Sequence, residues 1–278
     1  MAIAHRPRTN DGVSPQRCEV DILGWGYARL PSQSIPALRR SLPSWAPPNT
    51  ANHFFRYADD QTLLAVQAVG DLLRRCDLEP AELSMWGIIA APQFLGRQVA
   101  AHAMDQFFHA GGQRISPHIV PQNSLHSVSC ALSILLATHG PNVGMGGGCD
   151  ALTDGLLAAL TLFDMQASAG CWLVATAWDP EPLPNRQGSS SSPAIGHAVA
   201  LAMRPQSSVN SCGQLSLSRQ LQIFSAESAP ATSVAEIVAD LQTLDANNGS
   251  QSFAWRLPWG ATLNLELTDR AAWARQAA

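Results

Sequence analysis

The sequence predicts a layered α/β fold, and three observations carry that prediction. Strand-like and helix-like stretches alternate in the order β-α-β-α-α-β-α-β-β, followed after Pro205 by β-α-β-β. Two of the strand stretches, Met85–Ala91 and Cys171–Trp178, are continuous apolar runs that read as fully buried strands. Hydrophobic residues make up 46% of the 278 and charged residues only 14%, ample material for a buried core. The sequence has no short internal repeat of the kind that builds a solenoid.

The elements follow in order. Residues 1–18 are polar and carry prolines, and are expected to form a disordered N-terminus. Glu19–Gly24 alternates as a strand ending in Gly24–Trp25–Gly26. Leu30–Pro48 holds prolines at 31, 36, 43, 47 and 48 and reads as loop with short helical pieces. Asp59–Cys76 is an amphipathic helix with Asp59 and Asp60 as N-cap candidates and Leu63, Val66, Val69, Leu72 and Leu73 in one stripe. Arg74 and Arg75 fall in its last turn, where cations complement the helix dipole. After the Met85–Ala91 strand, Leu95–Phe108 is helical, with Val99, Ala103, Met104, Phe107 and Phe108 expected inward. Ser116–Asn123 is loop, and Ser124 caps a helix to Thr138 whose apolar face holds Leu125, Val128, Leu132, Leu135 and Leu136. Asn142–Met145 is a short strand, followed by a turn at Cys149, a helix to about Phe163 and the Cys171–Trp178 strand. Pro180–Pro193 is a surface loop and Gly196–Met203 another strand. In the tail Gln214–Phe224 alternates, and Ser233–Glu236 is a capping box opening a helix to Leu244. Asn247–Gly249 is a turn, and Phe253–Arg256 and Ala261–Leu267 are strands.

Composition excludes several functions. A net charge of −4 and a pI of about 6.0 argue against nucleic acid or an anionic membrane as partner. All 17 basic residues are arginine. A chain without lysine cannot form a Schiff base, complete a Walker motif or supply a Ser–Lys or Cys–Lys pair. The six cysteines, at 18, 76, 130, 149, 171 and 212, show no C-x-x-C spacing. His102, His109, His118 and His139 show no ligand spacing either, so no metal is expected. The start of the chain lacks the apolar run of a signal peptide, and no stretch of about 18 apolar residues exists to span a bilayer. A reduced, cytoplasmic protein is expected.

The chemistry-bearing stretch runs from His139 to Ala159. Glycines stand at 144, 146, 147 and 148, Cys149 follows, and Leu152, Leu156, Leu157 and Leu160 then set a helical period. Glycine permits φ > 0 and leaves amide N–H groups uncovered. Cys149 is therefore expected in a tight turn feeding a helix N-terminus, where aligned peptide dipoles favour a thiolate. If it accepts an acyl group, the amides of Gly146, Gly147, Gly148 or Cys149 itself are natural oxyanion donors. A phosphate cradle is the rival use of such glycines, but the G-x-x-x-x-G-K-[ST] motif is missing.

Gly140–Pro141, with Cys149 eight residues beyond the proline, then a helix and an apolar strand ending in a polar loop, resembles the nucleophile segment of β-ketoacyl synthases. The helix from Ser124 with Asn123 and His126 at its start, Arg56 ahead of the long helix from Asp59, and the Trp86–Ala91 strand resemble the same family. The resemblance covers about residues 20–205 and implies the fold class: α/β, a thiolase-like layered sheet. A single thiolase-type half, the β-ketoacyl synthase-like N-terminal domain at 19–205, would carry a short α+β C-terminal extension, 206–278, packed on it. Active members of the family bring two histidines and usually a lysine to the cysteine from a second half. This chain has no lysine, no histidine beyond His197, and Asp150–Ala151–Leu152 after the cysteine instead of a serine-rich run. It looks like the short ketosynthase-like proteins of chain-length-factor type found beside polyketide and aryl-polyene pathways. The resemblance thus implies a non-catalytic subunit that pairs with a full-length β-ketoacyl synthase as a heterodimer and helps shape its acyl tunnel. The acyl chain would arrive on the phosphopantetheine of an acyl carrier protein, with no cofactor bound by this chain, and a homodimer is the other arrangement. Cys149 is the catalytic candidate, and Asn123, His126 and Met145 are candidates to line or cap the tunnel.

A second reading is a self-sufficient enzyme, a Cys149-dependent acyltransferase or an α/β-hydrolase-like thioesterase. Gly147–Gly148–Cys149–Asp150–Ala151 fits a G-x-C-x-A elbow, with Asp179 and His197 following in the order acid, base. On its own strand His197 reads instead as a hydrogen-bonded core histidine. Trp255, Trp259 and Trp273 in the tail serve either the core or a partner.

Overall fold

A computed structural model describes residues 18–76, 78, 83–183, 185, 193–206, 213–218, 231–247, 251–257 and 262–267. Its elements are β1 (Cys18–Pro31), α1 (Asp60–Arg75), β2 (Gly87–Pro92), α2 (Arg97–Ala110), α3 (Ile119–Gln122), α4 (His126–Leu136) and β3 (Asn142–Gly144). There follow α5 (Ala151–Asp164), β4 (Cys171–Asp179), β5 (Ile195–Pro205), β6 (Gly213–Ser218), α6 (Val234–Asn247), β7 (Gln251–Arg256) and β8 (Thr262–Leu267). The eight strands form one sheet in the order β3-β2-β4-β5-β1-β6-β8-β7. β2 is parallel to β3 and to β4, and the other neighbours are antiparallel.

Helices cover both faces, and alternation along β5 shows which side each serves. Val199, Leu201 and Met203 join the core under α5 and α6, while Ala198, Ala200 and Ala202 join the core under α1 and α4. Small residues on the second side let α1 lie close to the strands. In β1 the approach is closest at two glycines: a Cβ at Gly26 would sit 2.2 Å from Leu72 N, and one at Gly24 2.3 Å from Cys76 Sγ. Gly24–Trp25–Gly26 therefore does not end the strand, as its composition suggests; it is where the helix backbone meets it, and β1 runs on to Pro31. Leu63, Leu64, Val69 and Leu72 of α1 are buried in this contact, each stabilising the fold by about 1.5–3 kcal/mol at most.

Local chemistry sets the helix ends. The Asp59 carboxylate accepts the Gln61 N–H at 2.7 Å and caps α1. α6 opens on a reciprocal capping box: Ser233 N–H donates to Glu236 Oε2 at 2.7 Å, and Glu236 N–H to Ser233 Oγ at 3.2 Å. The cap expected at Ser124 is not formed. Its hydroxyl donates back to Pro121 O at 3.3 Å, and α4 starts only at His126.

The chain after residue 205 extends the same sheet. β6 pairs with the start of β1, from Cys18 opposite Leu217 to Ile22 opposite Gly213, and α6 lies over β5 and β4 on the α5 side. Trp255 is a core residue whose Nε1–H donates to Asp240 at 2.9 Å. Cys18, expected at the end of the disordered segment, is the first residue of β1. Residues 1–17, most of the Pro180–Pro193 loop, the far end of the Gln214–Phe224 stretch, the Asn247–Gly249 turn beyond Asn247 (which ends α6), Trp259 and Trp273 lie outside the described residues. Among the described residues no helix is long and apolar enough to cross a membrane.

Candidate functional site

The Cys149 turn hangs from the edge strand of the sheet. β3 runs beside β2 with Gly144 opposite Ala90, and Met145 N–H donates to Ala90 O at 2.8 Å. The chain then bends through Gly146 and Gly147 at φ of 78° and 113°, where side chains are disfavoured. A Cβ on Gly146 would lie 2.5 Å from Ala151 Cα, so the bend is pressed against the start of α5. Gly147 O accepts the Phe94 N–H at 3.0 Å, which ties the bend to the segment after β2. Cys149 follows, exposed and unoxidised, two residues before α5 begins. Uncommitted N–H groups and the positive end of the dipole gather there.

A thiol becomes an acyl acceptor when a base removes its proton. Among the described residues no imidazole or carboxylate hydrogen-bonds to Cys149, and the two histidines considered for it are placed otherwise. His126 is exposed on α4, with Nδ1 3.4 Å from Ser129 Oγ. His197 is 5% exposed on β5, between Arg29 of β1 and Ala177 of β4. Neither of its ring nitrogens has a hydrogen-bond partner among the described residues, so the core position is as expected and the hydrogen bonds are not. Burial, with Arg29 reinforcing it and Asp179 opposing, holds the His197 pKa below the usual histidine value. It is bonded to neither Asp179 nor Cys149, and the relay Cys149–Asp179–His197 required by the hydrolase-like reading is not assembled.

Beside the bend opens a cavity of about 450 Å³, in the range that takes small ligands. The N-terminus of α1, the segment after β2, α3 and the segment after β4 all contribute walls. Phe94 serves both features: its N–H holds the glycine bend, and its ring carries the Arg97 guanidinium at 3.6 Å. Asn123 lines the cavity and packs against Gly96, where a Cβ would be 2.8 Å from its own and φ is 73°. His126 and Met145 do not line it; Met145 packs instead against the core on the α5 side.

The cavity is rich in charge. Arg39 pairs with Asp60 at 2.5 Å, and Arg97 lies 3.6 Å from Glu181. Burial pushes the Glu181 carboxyl up to about 7, with Arg97 opposing, and pushes Asp59 up to about 6 against the Gln61 N–H that it accepts. Of the lining residues only Asn123 stands out in the sequence as a site candidate. Arg39, Phe94 and Glu181 belong to separate segments and form no motif; the fold alone brings them together. Among the described residues no group of three or more His, Cys, Asp or Glu could hold a metal.

α2 corrects one expectation. Val99, Met104, Phe107 and Phe108 are exposed, and only Ala103 of the expected inward set is buried. The helical period of the stripe is as read, but a period does not say what covers it.

No protein-family model matches the sequence, and no curated protein matches it. Solved structures do. A chain in the complex of a ketosynthase (ApeO) with its chain length factor (ApeC) from Xenorhabdus doucetiae is 19% identical, with a TM-score of 0.54 over 89% of this chain and 98% of that one. A chain in the AntDE:AntF complex, a type II PKS acyl-carrier protein with its ketosynthase bound to the hexaketide, is 15% identical, with a TM-score of 0.50 over 69% and 64%. At these identities the likeness is one of fold. The chain has the thiolase-like, ketosynthase-type α/β fold, and matches the first of these structures almost throughout.

Proposed function

We propose that this chain is a non-catalytic subunit of chain-length-factor type, which pairs with a full-length β-ketoacyl synthase and shapes the tunnel that holds its acyl chain. The observation that carries the reading is Cys149, a thiol in a ketosynthase-type glycine bend to which no proton-handling group is bonded among the described residues. Such a bend preserves shape and backbone donors without the means to activate a nucleophile.

Two surfaces support pairing. β3 stands at the end of the sheet, where an edge can take up a strand from a partner. The open face of α2 exposes Met104, Phe107 and Phe108, and its first turn, at Val99, reaches the large cavity. An apolar patch of this kind on a lone chain marks an interface. The cavity is then the stretch of tunnel that this subunit lines, and the acyl chain is carried on the phosphopantetheine of an acyl carrier protein. In this reading the complex is cytoplasmic and heterodimeric, with a homodimer as the alternative.

Co-expression with a full-length β-ketoacyl synthase and an acyl carrier protein tests it. A one-to-one complex by light scattering is expected, with the same product when Cys149→Ala replaces the wild type. Loss of product from an intact Cys149→Ala complex, or acyl labelling of Cys149 in the lone chain, would overturn it in favour of an acyltransferase.

A further inference from the structure

Three arginines line the charged cavity beside the glycine bend, and only one of them is committed. Arg39 donates to Ala58 O at 3.3 and 3.1 Å and pairs with Asp60. The Arg97 guanidinium lies 3.6 Å from the centre of the Phe94 ring, and Glu181, also at 3.6 Å, is too distant to accept a hydrogen bond from it. Arg56 sits over the Tyr57 ring at 5.1 Å, and its guanidinium makes no hydrogen bond or ion pair among the described residues. A guanidinium carried on a ring by its face keeps its N–H edge free, a fork that matches a carboxylate. Phe94, Val99, Ile119 and Trp178 supply apolar wall to the same space.

We infer that this cavity binds a small monocarboxylate with an apolar body, the carboxylate held by Arg97 and drawn in by Arg56. The charge balance selects a single negative charge. At neutral pH the three guanidiniums face Asp60, Asp59, which titrates at about 6, and Glu181, which titrates at about 7. The surplus is roughly half a positive charge, which suits a carboxylate and falls short of a doubly charged phosphate. Size agrees: an apolar cavity of about 150 Å³ holds benzene, so about 450 Å³ has room for a ring with a short chain. The inference goes beyond the pairing reading, in which the same cavity is a stretch of acyl tunnel. Its test uses the lone chain, so failure of either leaves the other standing.

4-Phenylbutyrate and 4-phenylbutanamide have nearly the same shape and differ in charge, which makes them the probes. Equilibrium dialysis against the full chain at pH 7.5 measures both. The acid is expected to bind on the order of tenfold tighter than the amide, as a charge-assisted pair gives over a neutral one. Arg97→Gln keeps the length of the side chain and removes its charge, and should erase that preference. Glu181→Gln removes the carboxylate that competes for Arg97. It should tighten the acid about threefold and leave the amide unchanged, and it serves if Arg97→Gln folds poorly. Equal binding of acid and amide to the wild type would reduce the site to an apolar cavity. Inorganic phosphate displacing the acid at equal concentration would make it a patch for any anion. Either result, or no binding of the acid, overturns the proposal.

Discussion

Arg75 and Asp245 join helices from opposite faces of the sheet. From the last turn of α1 the Arg75 guanidinium passes over the Tyr27 ring, 4.4 Å from its centre, and pairs with the Asp245 carboxylate of α6. Asp71 completes the cluster by accepting the Tyr27 N–H at 3.1 Å and pairing with Arg75 Nε at 2.6 Å, and Tyr27 OH donates to Asp245 at 2.9 Å. The contact is made at the one stretch of β1 that β6 does not reach, so side chains close an edge that would otherwise stand open.

Arg75→Met should therefore loosen α6 specifically. A loss of about 1–3 kcal/mol is expected in urea unfolding, as for a charge-assisted network that is partly buried. Amide hydrogen exchange should speed up in α6 and leave α1 near its wild-type rates. Equal change in both helices would show that the pair does not act as a clamp.

The three glycines of the bend should not respond alike to alanine. Gly146→Ala forces a side chain to φ of 78° and into Ala151, and should destabilise by about 1–3 kcal/mol. Gly148 has open space around it, so Gly148→Ala should stay within about 0.5 kcal/mol of wild type. Denaturant melts of both variants check the contrast.

The stability contributed by Asp59 and Glu181 should fall as pH rises from about 4 toward 7, against His197, whose lowered pKa favours folding as pH rises toward the usual histidine value. Asp59 and Glu181 titrate at about 6 and about 7 in the folded protein, against about 4 in an unfolded chain. Through that window the two folded carboxyls hold protons that the unfolded chain has released, so their contribution is fullest at the acid end and is lost as each ionises in its buried place. Asp59→Asn, which retains an acceptor for the Gln61 N–H, should flatten the lower part of the slope and Glu181→Gln the upper part. Melting temperatures between pH 4.5 and 8 read this directly, and an unchanged slope in both variants would refute it.

Phe108, 75% exposed on α2, separates folding from pairing. Phe108→Asp should leave the melting temperature of the lone chain unchanged, because little is buried there. Binding to a co-expressed ketosynthase should weaken by about tenfold or more if the residue is a buried anchor of the interface. Wild-type affinity for the variant would remove α2 from the pairing surface.

Most elements are legible in the sequence because their periods are clean and their ends carry chemistry. The Asp59 cap, the Ser233–Glu236 box and the apolar runs of β2 and β4 leave little choice of conformation. Gly24 and Gly26 mislead because glycine looks the same whether it ends a strand or clears space for a helix. Ser124 misleads because its hydroxyl finds a carbonyl behind it before an amide ahead. At the site, the glycine bend before α5 is legible from four glycines and a leucine period. The charged cavity next to it is not, since its walls come from segments far apart in the chain and joined by the sheet.

Of the described strands β1 comes first along the chain, yet it lies inside the sheet. Pro31 pairs with Ile195, Val20 with Pro205 and Cys18 with Leu217, so both neighbours leave the ribosome long after β1 does. Until then a long apolar ribbon has no lateral mates, and closing it means paying for very distant contacts late. Nascent chains are thus exposed to clumping until β5 and β6 emerge, and a product truncated before β5 has no way to complete its centre.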